Sequence, residues 1–416
     1  MVQFCIVTFV LALFIFYIRL NKKDILLPEN LFSIIILATY AVACLGLSRL
    51  QHAYPLWFTF LMIGMVLVFQ FGAKIHFKKE DIKFRPYTYS KRRFKQSVYI
   101  LFLIVFISFC AMWYLLGAPP LLSKADRATY FVPGFGTLYL MINVLSFFIM
   151  YDLLDKHYLK KKSYILLLII LIMLVLMSNK FQLIYFLCQY LVLYNIMKKR
   201  IKLSSLIKLG VLALLIFIIY YAYVYKGMYI SNEEMFQVNQ MKLPSHLSML
   251  TNPYMYTAFN YENLYHYITL DQTTFGSGFY ILANWMDVLG IQEFITGNAS
   301  LLSNQWQMNL QYGWLTTGTF FRECYMDFGM IGMLLFTLFT GFICKLSYKR
   351  CYQTRSLFHI YFYVSNMICI FLVFFTNYFI TVNYLLNLIC AFVISKYCFH
   401  KEGKGEAVHN MKEVSV

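Results

Sequence analysis

The chain has 416 residues, of which 61% are hydrophobic and 13% charged, with 36 Lys and Arg against 18 Asp and Glu. That apolar content excludes an ordinary soluble globular domain and fits a polytopic membrane protein. The formal charge of +18 does not point to nucleic acid, because the cations fall in short clusters between apolar runs and not on a separate basic domain.

Eleven stretches are long enough to cross a hydrocarbon core of about 30 Å: residues 2 to 18, 31 to 48, 55 to 73, 97 to 117, 134 to 151, 164 to 178, 181 to 197, 206 to 225, 328 to 344, 358 to 376 and 378 to 395. The predicted fold is therefore an all-α polytopic membrane helix bundle of about eleven transmembrane helices. Its first eight lie within 1–225, a long extracytoplasmic loop follows over 226–318, the last three helices occupy 319–398, and 399–416 form a cytoplasmic tail. The first stretch does not read as a cleavable signal peptide, because no basic residue precedes it while Arg19, Lys22 and Lys23 follow it. It is expected to enter with the N-terminus outside. With that start, 29 of the 36 basic residues fall on the inner side, as the positive-inside rule requires, and the C-terminus is inside. Most of the ten cysteines sit in apolar runs and read as small buried hydrophobes, not as a disulfide framework.

The seven cations left outside are Arg49, Lys124, Arg127, Lys180, Lys226, Lys242 and Arg322. Arg49 stands in a short turn and reads as structural. Arg127 lies in GAPPLLSKADRATYFVPGFG, residues 117 to 136, a rigid loop rich in turn formers. Lys180 occupies the tight turn MSNKFQ between two short spans, so it either snorkels to the headgroups or points into a cavity left below the surface.

A loop of some ninety residues, from Lys226 to about Gly318, is too long for a plain connection and too aromatic for disorder. Asn252 and Pro253 signal a helix start, which predicts a helix over 253 to 269, PYMYTAFNYENLYHYIT. A second amphipathic segment covers 278 to 294, and two such helices lying on the membrane surface would roof a cavity. Glu262 and His266 are four apart, so a carboxylate there can orient an imidazole for proton transfer. Tyr261, Tyr265 and their neighbours either stack on sugar rings or form an interfacial aromatic belt.

From Thr317 to Gly332, TGTFFRECYMDFGMIG, this loop re-enters an apolar span carrying Arg322, Glu323 and Asp327. An arginine at a span's mouth is kept where it has an anionic partner or reaches water. Glu323 and Asp327 share a helical face, where their repulsion raises one carboxyl pKa and suits it to act as a base, unless all three simply face water among the headgroups. No P-loop, Cys-x-x-Cys or His-Glu-x-x-His run occurs, so no bound cofactor or metal is expected.

The loop PPLLSKADR, the SNK turn, the tyrosine-rich outer loop and the TFFR...DFG..G stretch together resemble the oligosaccharide repeat-unit polymerases of bacterial O-antigen and capsule synthesis. The likeness covers nearly the whole chain in layout, and only the TFFR...DFG..G stretch is moderately specific. It implies a fold similar to the C-type glycosyltransferases related to O-antigen ligases. It implies transfer of a growing glycan from undecaprenyl pyrophosphate onto the next lipid-linked repeat unit, at the outer face of a bacterial cytoplasmic (inner) membrane. Membrane lipid, a flippase and a chain-length regulator are the further partners implied. Arg127, Arg322 and Lys180 would neutralise the pyrophosphate leaving group, although Lys180 stands where members often carry arginine and lacks its bidentate fork. One of His266, Glu262, Glu323 and Asp327 would be the base, and Tyr261 and Tyr265 would contact glycan. The competing class is a transporter, either a flippase for the same lipid-linked sugar or an exporter, although no internal repeat is visible. An O-antigen-ligase-like transferase is the nearer neighbour. A membrane acyltransferase has less support, because His76 and His157 fall on the inner side.

Overall fold

The computed structural model describes residues 1–75, 88–123, 130–223, 232–270, 276–288 and 317–399. Within them every regular element is a helix: α1 (Val2–Leu20), α2 (Pro28–Cys44), α3 (Leu56–Lys74), α4 (Lys91–Leu116), α5 (Pro120–Ser123), α6 (Phe135–Tyr139), α7 (Ile142–Tyr151), α8 (Lys162–Leu176), α9 (Lys180–Met197), α10 (Leu203–Tyr223), α11 (Asn232–Val238), α12 (Thr251–Thr269), α13 (Phe279–Val288), α14 (Arg322–Thr354), α15 (Leu357–Phe371) and α16 (Val382–Cys398). Strand-like pairing among the described residues is confined to two isolated bridges, Ser48 with Met241 and Tyr89 with Phe399. Five helical runs are long and apolar enough to cross a membrane: Val2–Leu20, Leu56–Lys74, Lys91–Ser123, Phe135–Lys156 and Arg322–Thr354. Of the other expected spans, those at α2, α8, α15 and α16 coincide with shorter apolar helices, that at α9 with a more polar one, and that at α10 runs past the described residues. All ten cysteines are free, and six of them are buried.

The bundle is built around α14, which packs along α3 and also meets α2 and α15. A Cβ added at Gly341 would overlap the backbone carbonyl of Phe69, and one at Gly72 would overlap that of Leu338. Where lipid surrounds a bundle, such close approach of small residues is what draws helices together, since burial of apolar surface contributes little there. Gly341→Leu is therefore expected to push α3 from α14 and cost about 1–3 kcal/mol or more. Thermal unfolding in detergent reads this, and an unchanged midpoint would contradict the contact.

At one end of the bundle Lys345 pairs with Glu29 at 2.6 Å, Asn195 donates to Asp24 at 3.1 Å and Ser90 N donates to the Cys398 carbonyl at 3.0 Å. Here too Asp152 is fully buried and accepts from Tyr158 N, Leu159 N and the Ser163 hydroxyl, closing the turn between α7 and α8. The basic clusters at 19–23, 91–95, 160–162, 198–202 and 345–355 flank these contacts. The opposite end is poor in Lys and Arg and gathers the α2–α3 turn, α12, the start of α9, the start of α14 and the α15–α16 connection.

Candidate functional site

That cation-poor end is organised by α12. Pro253 falls in its first turn, but the helix begins at Thr251, so Asn252 lies inside it and is not its cap, and the helix does not lie on a surface. It is packed into the bundle against α2 and α14, with Asn252, Asn260, Glu262 and Asn263 buried alongside its apolar residues. Buried amides and carboxylates persist only where partners satisfy them, and α12 finds its partners in distant segments. Asn260 Oδ1 accepts from the Thr317 hydroxyl at 2.7 Å, and Asn263 Nδ2 donates to the Thr317 carbonyl at 2.6 Å. The Tyr261 ring is fully enclosed, its hydroxyl 2.7 Å from Thr39 Oγ1, so it fastens α12 to α2 and offers no face to a glycan. Tyr265 is partly buried at the edge of an aromatic group with Tyr54, Trp57 and Phe58.

The expected pairing of Glu262 with His266 is corrected by the structure. Glu262 is fully buried, and its Oε1 engages Nδ1 of His52, in the turn between α2 and α3. His52 N also donates to both carboxylate oxygens at 3.3 Å. Docking α12 on this turn aims Glu262 inward, whereas His266, one turn on, remains half-buried beside Tyr267. Burial pushes the Glu262 carboxyl above its ordinary range, and His52 draws it partly back. Burial lowers the His266 pKa, with the nearby His52 adding to the shift. The His52 side chain is 52% exposed, so the dyad has a sealed carboxylate and an accessible imidazole.

On the other flank of α12, Arg322 and Glu323 are each 1% exposed, with Arg322 Nη2 donating to Glu323 Oε1 at 3.2 Å. Gly318 makes room for the arginine, since a Cβ there would overlap Cδ of Arg322. The helix is interrupted at Phe328 and at Gly329, whose φ is 61°. A Cβ on Gly332 would lie 2.5 Å from the Cys324 carbonyl. Eight residues of unbroken helix span about 12 Å, so the turn from Arg322 to Asp327 folds back on the helix that follows. Asp327 accepts from Tyr280 N at 2.9 Å and Ile281 N at 2.7 Å, which ties the start of α13 to this bend. Glu323 and Asp327, expected to repel across one face, thus each have their own partner. Tyr267 stands beside Arg322 and Glu323; burial raises its phenol to about 12 against the pull of Arg322.

Capping by a side-chain oxygen contributes about 0.5–2 kcal/mol. Asp327→Ala should lower stability by that amount and Asp327→Asn should recover part of it, read as thermal midpoints in detergent. Equal losses in both variants would count against the cap.

Lys180 is 3% exposed, so it does not snorkel to the surface. Ser178, with φ 51°, and Asn179, which accepts from Gln182 N at 3.1 Å, start α9 so that the Lys180 ammonium sits 4.2 Å from the ring centroid of Tyr256 on α12. Such a contact is worth about 2 kcal/mol or more when desolvated. A cavity of about 260 Å³ does open beside it, lined by Asn179, Phe181 and Gln182 but not by Lys180. Arg127 lies outside the described residues, as does the amphipathic segment beyond Val288.

The chain matches no protein-family profile, no curated protein and no solved structure. The site therefore rests on its own geometry. α12 holds Lys180 through Tyr256, His52 through Glu262, and the approach to Arg322 through Asn260 and Asn263. His52 escaped the sequence reading because it stands in a loop without a carboxylate of its own. The amides at the cavity, such as Gln182 and Asn387, were also missed; the signal available was their presence in apolar spans, where unpaired polar groups are costly.

Proposed function

We propose that the chain is a metal-independent membrane glycosyltransferase that joins undecaprenyl-pyrophosphate-linked oligosaccharide repeat units into O-antigen or capsular polysaccharide. It acts at the outer face of a bacterial cytoplasmic membrane, in a bundle of about eleven spans. The observation that carries this reading is the gathering on α12 of two buried cations and a carboxylate–imidazole dyad, at the end of the bundle poor in Lys and Arg. The positive-inside rule makes that end the outer one.

In the reaction, the acceptor hydroxyl attacks C1 of the sugar at the end of the donor glycan while His52, held through Nδ1 by Glu262, takes the hydroxyl proton on Nε2. The bond from C1 to the pyrophosphate oxygen breaks and the electron pair stays on that oxygen. Pyrophosphate needs no general acid, only stabilisation of its developing charge. Arg322 supplies that charge from a position already fixed by Glu323 and Gly318, so little reorganisation accompanies the step. Lys180 adds to the local positive field, and the sequence places Arg127 on the same face.

The test is genetic. Cells lacking the chain should carry only single repeat units, and restoring the gene should restore long polymer. Long polymer in the deleted strain would contradict the proposal.

A further inference from the structure

The cavity beside Lys180 is not used by the chemistry above. It is bounded by the outer-end turns of α7, α9, α15 and α16, and amide and hydroxyl residues are interspersed in a mainly apolar and aromatic lining. Five amide residues are among those that line it, Asn143, Asn179, Gln182, Asn383 and Asn387, and the lining residues include no charged one. Tyr185, Tyr378, Tyr384 and Phe181 supply aromatic surface, and Phe181 is itself stacked on Phe375 at 4.4 Å. Gln182 is 8% exposed, and its buried Oε1 has no hydrogen-bond partner. A buried acceptor left so costs about 1–3 kcal/mol.

We infer that this cavity binds one uncharged sugar unit. An amide offers a carbonyl acceptor and two N–H donors on one side chain, which matches hydroxyl groups that both give and take hydrogen bonds. Tyrosine and phenylalanine rings match the C–H face of a pyranose. A phosphate or carboxylate would find no counter-charge among the lining residues, and a lipid tail would leave the amides unsatisfied. At about 30 Å³ per water, the volume holds several solvent molecules, which a single sugar ring with its hydroxyls replaces.

The inference rests on the proposed function for the origin of the sugar, a residue of the repeat unit, but not for its chemistry. Saturation-transfer difference NMR on the full-length protein in detergent tests it with glucose, galactose, N-acetylglucosamine, N-acetylgalactosamine and rhamnose as probes, and glucuronate as the charged control. At least one neutral sugar should give a signal and glucuronate should not. Gln182→Leu and Asn387→Leu, made separately on two walls and checked by thermal unfolding, should each reduce the signal at least tenfold. No signal from any neutral sugar with folded wild-type protein, an equal signal from glucuronate, or unchanged signals in both variants would overturn the site. Elongation of lipid-linked units is read separately, and both variants should raise KM while nearly keeping kcat. Sugar signals in a protein that never elongates would contradict the proposed function and leave the cavity site standing. Elongation without sugar signals would do the reverse.

Discussion

Replacing Arg322 with Met and Glu323 with Gln together is expected to give a folded protein that makes no polymer. The pair is almost fully enclosed, so removing the arginine alone would strand a buried carboxylate and cost about 3–5 kcal/mol. Arg322→Ala would then lose polymer through misfolding as readily as through chemistry. Exchanging both members for side chains of similar size without charge is near neutral for stability, and it isolates the electrostatic contribution. Loss of one preorganised charge stabiliser lowers turnover by about 10²–10³, enough to leave single repeat units where long chains were made. Product length on a gel, beside the thermal midpoint of the purified double variant, separates the two causes. Long polymer from the double variant would remove Arg322 from the mechanism.

The second large effect concerns the dyad. His52→Ala should reduce elongation by about 10²–10⁴, the range contributed by a positioned general base, whereas His266→Gln should stay within a few-fold of wild type. The reverse order would restore the pairing that helical spacing first suggests. Glu262 carries a pH signature as well. Its folded-state pKa is raised by burial, so the native state holds the proton where the unfolded chain, with its carboxyl near pKa 4.3, has released it. The stability contributed by Glu262 is present below that value and is lost as pH rises through the folded pKa. In Glu262→Gln this loss is absent. The thermal midpoint of the variant relative to wild type should therefore climb as pH goes from about 4 to 7. His266 has the opposite sign, since its lowered pKa gives stability above about 6.5 that is lost on acidification, but it is common to both proteins and cancels. A falling difference over the same range would mean that the carboxylate is better stabilised in the fold than in water.

Much of the helical framework was legible because it depends on local pattern. Apolar length marked the segments, and Lys and Arg clusters fixed which ends belong together, as the contacts of Lys345 with Glu29 and Asn195 with Asp24 bear out. The start of α12 was legible to within about two residues from Asn252 and Pro253, although Asn252 sits inside the helix and does not cap it. Its position was not. A helix carrying Asn, Glu and Tyr on several faces reads as one lying on a membrane surface, and what sinks it into the bundle is a set of partners remote in sequence. Thr39, 222 residues away, meets Tyr261, and His52, 210 residues away, meets Glu262. Spacing four residues apart therefore pointed to His266, because local periodicity carries no information about which face the tertiary fold will bury. The break at Gly329 was hidden for a related reason: one glycine in an apolar run does not reveal that Asp327 is drawn aside to cap α13.

The most direct measurement is elongation by the purified protein in detergent, with undecaprenyl-pyrophosphate-linked repeat units as the sole substrate and products resolved by length. With no compartments to separate, a transporter has nothing to do. The expected result is a ladder rising in steps of one repeat, abolished in the Arg322→Met, Glu323→Gln double variant. Folded wild-type protein that leaves the units at their starting length, yet carries them across a liposome membrane, would contradict a polymerase and make the chain a transporter.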